Sequence, residues 1–232
     1  MREPCQSSAP RGTGTDLAIY GSAAVLASIL AACSGSPTGP SVEPPTPLTV
    51  SLQSGLWESI SEPAPLELAN DSADLVFEFP NDGSIHYLYT PSALAALRGT
   101  LVANVRVATT GPVVFNSLDA VTATCSIPIA VRPFFWANEN GSGNYDRWWS
   151  NPRSFVLSEG EATIAVPLQP EFWSSVNGRF GNADSATRYG FATAILNVTR
   201  LGLTFGGGCS FGHGVSVQGG RAQFRLTGYA IQ

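Results

Sequence analysis

Five stretches of this chain alternate apolar and polar residues with a period of two, a rhythm that suits strands and not helices. Ala222, Phe224 and Leu226 alternate with Arg221, Gln223, Arg225 and Thr227. Ala162, Ile164, Val166 and Leu168 alternate mainly with Glu161 and Thr163. Leu101, Ala103, Val105 and Val107 are interleaved with Asn104 and Arg106, and Leu201, Leu203 and Phe205 with Arg200, Gly202 and Thr204. Leu75, Phe77 and Phe79 flank Glu78. Each pattern predicts a strand with one face on a core and the other toward solvent. Further strands are expected over 85–89, 113–115, 121–136 (interrupted by Pro128 and Pro133) and 189–196. Asn81-Asp82-Gly83, Thr110-Gly111-Pro112, Asn177-Gly178 and Gly219-Gly220 are turn signals between them. Two short helices are expected. One spans 91–98, with Thr90 as its cap and Gly99 beyond its end; the other spans 170–176 and stops at Asn177-Gly178. Many short strands with few helices predict an all-β, antiparallel β-sandwich, a jelly roll with one or two short helices, over residues 49–232.

Ahead of that domain lies an apolar run over 17–32, LAIYGSAAVLASILAA, closed by Leu30-Ala31-Ala32-Cys33. Arg2 and Arg11 precede it, diluted by Glu3 and Asp16. The run has the length of a signal-peptide core and is short for a membrane span of roughly 20 apolar residues. It resembles the signal peptide and lipobox of bacterial lipoproteins. That resemblance implies cleavage before Cys33, lipidation of its sulfur, export, and a membrane partner reached through the lipid. An uncleaved anchor and a buried core helix are the competing readings. Residues 34–48, SGSPTGPSVEPPTPL, hold five prolines and almost no apolar bulk. They cannot bury enough surface to fold and should form an extended tether of roughly 3 Å per residue. The organisation expected is therefore 1–32 signal peptide, 33–48 lipidated cysteine and tether, 49–232 domain. Ser34 follows the lipidated cysteine where Asp does not, which by the same resemblance favours the outer membrane over the inner.

Charge narrows the partners. Residues 33–232 carry 10 Arg, no Lys and 15 Asp plus Glu, a net charge of 10 − 15 = −5. A nucleic-acid binder presents a basic face, so no nucleic-acid partner is expected, and charge alone would not hold this domain on anionic lipid. Cys5 leaves with the signal and Cys33 takes the lipid. Cys125 and Cys209 remain, in an oxidising compartment, and are expected to pair as a disulfide; two separate buried thiols are the other reading.

The segment 201–231, LGLTFGGGCSFGHGVSVQGGRAQFRLTGYAI, sets a strand, a Gly-rich crossing and a final alternating strand in succession. It resembles the closing strands of galactose-binding-like, carbohydrate-binding-module jelly rolls, and Gly160 and Trp173 add to the likeness. The resemblance implies a fold, and a fold does not by itself imply a function.

One segment concentrates binding chemistry. Trp136, Tyr145, Trp148 and Trp149 bracket the loop Asn138-Glu139-Asn140-Gly141-Ser142-Gly143-Asn144, with Asp146 and Arg147 alongside. A sugar site needs aromatic rings for the C–H side of a pyranose and polar side chains for its hydroxyls. The expected ligand-binding residues are Trp136, Asn138, Glu139, Asn140, Tyr145, Arg147, Trp148 and Trp149. Adjacent tryptophans on a strand face opposite sides, so one of Trp148 and Trp149 belongs to a core. Calcium uses oxygen ligands, and Asn138, Glu139, Asn140, Asn144 and Asp146 supply them, without the spacing of an EF-hand. The jelly-roll resemblance implies a structural calcium in many such modules; no other cofactor is expected.

Two other patterns carry less. Gly208-Cys209-Ser210-Phe211-Gly212 fits G-x-S-x-G, with His213 close by, but a nucleophile elbow needs a helix after the serine, and Val215 and Val217 read as a strand. His86, in an alternating strand, and His213, pinning a turn through a backbone carbonyl, read as structural. No zinc ligand spacing is present. The leading reading is a lipid-anchored, non-catalytic module that binds a glycan or similar ligand. A second is a structural lipoprotein docking another envelope protein. A third is an envelope hydrolase with two carboxylates drawn from Glu58, Glu78, Asp82, Glu139, Asp146, Glu161 and Asp184.

Overall fold

The alternating stretches become strands of two antiparallel sheets. The computed structural model describes residues 47–94, 97–119, 126–138 and 143–232. Along the chain the strands are β1 (Leu48–Thr49), β2 (Glu58–Glu62), β3 (Ala69–Asp71), β4 (Asp74–Glu78), β5 (Ser84–Leu94), β6 (Thr100–Thr110), β7 (Val114–Ser117) and β8 (Ile127–Trp136). They continue with β9 (Arg147–Ser150), β10 (Phe155–Val156), β11 (Gly160–Pro167), β12 (Trp173–Ser175), β13 (Val198–Gly208), β14 (Val215–Gln218) and β15 (Arg221–Ile231), with one α-helix, α1 (Ser185–Ala194), between β12 and β13. The smaller sheet has the order β11-β6-β15-β4-β3, with β1 also on β15. The larger has the order β12-β9-β8-β13-β5-β14-β7, with β10 on β8 and β2 on β5. The chain passes repeatedly between the sheets, as in a jelly roll.

Apolar side chains from both sheets meet in one core. Leu101, Ala103, Val105 and Val107 of β6, Phe224 and Leu226 of β15, and Phe77 of β4 face Val131, Phe135, Leu201, Leu203 and Phe205 of the larger sheet. Phe77 and Phe205 meet edge to face across the two layers, with ring centroids 5.7 Å apart. The alternation in β15 breaks at a bulge between Leu226 and Gly228. Beyond that bulge Tyr229 and Ile231 turn inward, where a strict period of two would have turned both of them outward and Gly228 and Ala230 inward. The buried Tyr229 hydroxyl donates to the Gly202 carbonyl at 2.9 Å, tying one sheet to the other.

Three expectations for local structure are corrected. Residues 91–94, expected to begin a helix, extend β5. The β5–β13 ladder shifts register between Val198 and Arg200, beside Pro91, whose nitrogen has no hydrogen to donate. Of residues 170–176, only Pro170–Phe172 form a helical turn, and Trp173–Ser175 join the sheet as β12. The strand expected over 189–196 is replaced by α1. Its buried residues Thr187, Gly190, Phe191 and Ala194 recur at helical spacing. Asp184 caps it, accepting from the Thr187 backbone N–H at 2.8 Å while Thr187 Oγ1 accepts from the Asp184 N–H at 3.0 Å.

Candidate binding site

The outer face of the larger sheet, turned away from the sandwich core, holds a second cluster of rings. Tyr87, Tyr89, Phe134, Trp136 and Trp149 are buried there, with Ile60 and Phe211 packed against them. Cross-strand register aligns them. Tyr89 lies opposite Gly202, Gly202 opposite Phe134, and Phe134 opposite Trp149. A second row runs from Tyr87 through Thr204 to Arg132, and a third from Arg200 through Trp136 to Arg147. Ring centroids of Tyr87 are 5.0 Å from Phe134 and 5.2 Å from Trp136, within the range of favourable aromatic pairing.

Three arginines lie over these rings. The Arg147 guanidinium sits 5.8 Å from the Trp136 centroid and 5.9 Å from that of Trp149. Arg200 lies 4.7 Å from Tyr89 and 5.0 Å from Trp136, and Arg132 lies 4.5 Å from Phe211. These are cation–π distances. None of the three is within ion-pair distance of a carboxylate among the described residues, whereas Arg179, Arg221 and Arg225 elsewhere each reach one. Burial pulls Arg132 down from its ordinary range to about 10.

At one end this face opens into a cavity of about 570 Å³. Tyr87, Arg147, Trp149 and Ser175 come from the sheet, and Phe211 and His213 from the loop between β13 and β14. That loop is braced from below. His86 bonds the Ser84 hydroxyl through Nε2 at 2.9 Å and the Gly212 carbonyl through Nδ1 at 3.0 Å. His213 instead pairs with Asp119, Nδ1 to Oδ2 at 2.7 Å. The carbonyl-bonding histidine that pins this turn is therefore His86. A Cβ on Gly212 would stand 2.1 Å from the Tyr87 hydroxyl, so only glycine lets the loop come this close. Cys209, on the cavity wall, is disulfide-bonded; Cys125, the partner expected from sequence, lies outside the described residues.

Beneath this face several buried polar atoms have no hydrogen-bond partner among the described residues: Arg132 Nε, Trp136 Nε1, Arg147 Nε, Trp149 Nε1, the Ser175 hydroxyl and Asp119 Oδ2, the last within ion-pair distance of His213. Of these residues Arg147, Trp149 and Ser175 line the cavity. The Trp149 N–H lies near the Tyr87 hydroxyl without bonding geometry. Burial raises the Tyr87 pKa and the Arg147 charge offsets part of that rise. Burial, and the hydrogen bond donated to Glu58 at 2.5 Å, push Tyr89 up to about 12. Both phenols are protonated donors at neutral pH.

The structure divides the expected binding residues. Trp136, Arg147 and Trp149 share the outer face. Trp148 is a correction: it is fully buried in the core, stacked on Tyr145 and edge-on to Phe191 at 5.1 Å, so no ligand reaches it. Asn138 and Tyr145 line a different, more open hollow beside α1, together with Asp146 and Tyr189. Asp146 Oδ2 accepts from the Gly143 N–H at 2.7 Å and the Asn138 amide at 3.2 Å, so this carboxylate organises its own loop. Glu139 and Asn140, also named for calcium, lie outside the described residues. Among the described residues no group of three or more His, Cys, Asp or Glu side chains is placed to hold a metal ion. Ser210 sits in a turn followed by β14, without the helix of a nucleophile elbow. Missed in the sequence were Tyr87, Tyr89, Arg132, Phe134, Ser175, Arg200 and Phe211. One signal was available: β8 places Phe134 and Trp136 on the face opposite to Val131 and Phe135, so this strand carries large apolar side chains on both sides.

No protein-family profile and no curated protein sequence matches the chain. Among solved structures the chain is similar to the L4b domain of human laminin alpha-2, at 8% identity, 81% of this chain, 97% of that domain and a TM-score of 0.47. It is also similar to the xylan-binding module CBM15, at 11% identity, 78% of this chain, 96% of that module and a TM-score of 0.37.

Proposed function

We propose that this chain is an exported lipoprotein, anchored through Cys33 to the cell envelope, whose β-sandwich binds a glycan or similar ligand without catalysis. The outer-membrane side is favoured by Ser34. Anchor and tether rest on the Leu30–Cys33 lipobox and the proline-rich segment after it. The binding reading rests on the cavity beside Trp149, where aromatic rings meet the Arg147 guanidinium and the polar side chains of Asn177 and Ser210. Apolar walls with a few convergent polar groups are the general make-up of small-ligand sites.

The test is a glycan-array screen of the purified chain beside its Trp149→Ala and Trp136→Ala variants. Trp149→Ala is expected to weaken binding by roughly 10- to 100-fold, matching about 1.5–3 kcal/mol. Near-UV circular dichroism verifies folding of each variant. Retention of full binding by folded Trp149→Ala would remove this cavity as the site. A folded protein that binds no glycan would turn the reading to the envelope-protein docking lipoprotein.

A further inference from the structure

A neutral, hydroxyl-rich ligand would fit the cavity, but one cavity-lining side chain is a cation. Arg147 lines the cavity and has no carboxylate within ion-pair distance among the described residues. Acidic groups near the face are already engaged: Glu58 accepts from Tyr89 at the far end, and Asp119 holds His213 at the rim. No carboxylate among the described residues lines the cavity. The protein as a whole is acidic, with a net charge of −5, so this cationic face is a local feature and not part of a basic surface.

Geometry distinguishes Arg147 from its neighbours. It lies opposite Trp136 in the β8–β9 ladder and rests against the rings of both Trp136 and Trp149. Two indoles restrict its plane, and it lines the cavity together with Trp149 and Tyr87. A fixed guanidinium fork suits a planar, two-oxygen acceptor. A neutral hydroxyl fills one of its N–H groups and leaves the charge uncompensated.

We propose that the ligand of this site is an acidic glycan, and that a uronate carboxylate of the sugar is received by Arg147 where it lines the cavity beside Trp149. The assignment rests on the glycan reading above and narrows it to one class.

Calorimetric titration of the full chain tests this with oligogalacturonate, oligomannuronate and oligoglucuronate, each beside its carboxyl-reduced, neutral counterpart. At least one uronate is expected to bind roughly 10- to 100-fold more tightly than its reduced form, the factor given by about 1.5–3 kcal/mol for a hydrogen bond to a charged group. Arg147→Gln should bring that ratio close to one. Arg147→Lys, which keeps charge and loses the fork, should fall between. Should Arg147→Gln fail to fold, Arg147→Lys with the same ligand pairs carries the test. Equal affinity for acidic and reduced forms, unchanged in the variant, overturns the proposal and leaves glycan binding standing. Binding of a sulfated oligosaccharide but of no uronate overturns the carboxylate assignment. Absence of binding to every sugar, charged or neutral, removes both readings.

Discussion

Side chain by side chain, the outer face of the larger sheet trades stability for exposed chemistry. Arg132 is almost wholly buried, lies over Phe211, and has no carboxylate partner among the described residues. A buried charge without a partner costs several kcal/mol, and a well-packed apolar replacement of similar volume is often stabilising. Arg132→Met is therefore expected to stabilise the folded protein by roughly 1–3 kcal/mol, seen as a higher midpoint in urea. A lower midpoint would mean that the guanidinium contributes to the fold. The two adjacent tryptophans show how one residue step separates these roles. Trp148 is enclosed between the sheets and Trp149 lines the cavity, because successive strand residues point to opposite faces.

At the level of elements, α1 is placed by its cap and by one close approach. A Cβ on Gly190 would come within 2.4 Å of the Tyr145 ring, so the glycine lets the helix lie directly on that ring. Asp184 anchors the N-terminus. The Thr187 backbone N–H, then the Thr187 hydroxyl, hold its carboxyl below the usual range, with Arg179 adding to the effect. A carboxyl whose folded pKa is depressed contributes stability above its unfolded value of about 3.9, and that contribution disappears as pH falls through the folded value. The stability advantage of the parent over Asp184→Asn, followed by thermal melts from pH 7 to pH 2, should thus hold constant down to about pH 4 and shrink below it. Parallel curves over the whole range would show that the charge of Asp184 does not matter to α1. The helix also marks where sequence reading failed. Residues 189–196 offer a short apolar run without clear period, and the deciding signal was the Asp184–Thr187 cap five residues upstream of Tyr189.

For the whole molecule, the proposed lipid anchor at Cys33 carries its own test. Radiolabelled palmitate supplied to cells making the protein should appear in the parent and be absent from Cys33→Ala, which should then be recovered in the soluble fraction. Label retained in Cys33→Ala would refute lipidation at that cysteine. The expected Cys125–Cys209 bond would fasten the cavity wall at Cys209 to a segment far away in the chain. Taken by itself, the sequence determined that the domain is a β-sandwich, because a period-two pattern in β4, β6, β11, β13 and β15 buries its apolar set only as strands sharing a core. It also located Trp136, Arg147 and Trp149 as binding candidates, because their types and spacing are local. The site itself was decided by tertiary structure. The β2–β5 ladder shifts register between Ile60 and Ser61, and Ile85 then faces the core while Tyr87 and Tyr89 face outward. Strict alternation would have put Ile85, Tyr87 and Tyr89 on one side. Tyr87, Arg132, Trp149, Ser175 and Phe211 come together through long-range pairing of β5, β13, β8, β9 and β12. Bulges and non-local ladders set that pairing, and neither leaves a local mark in the order of residues.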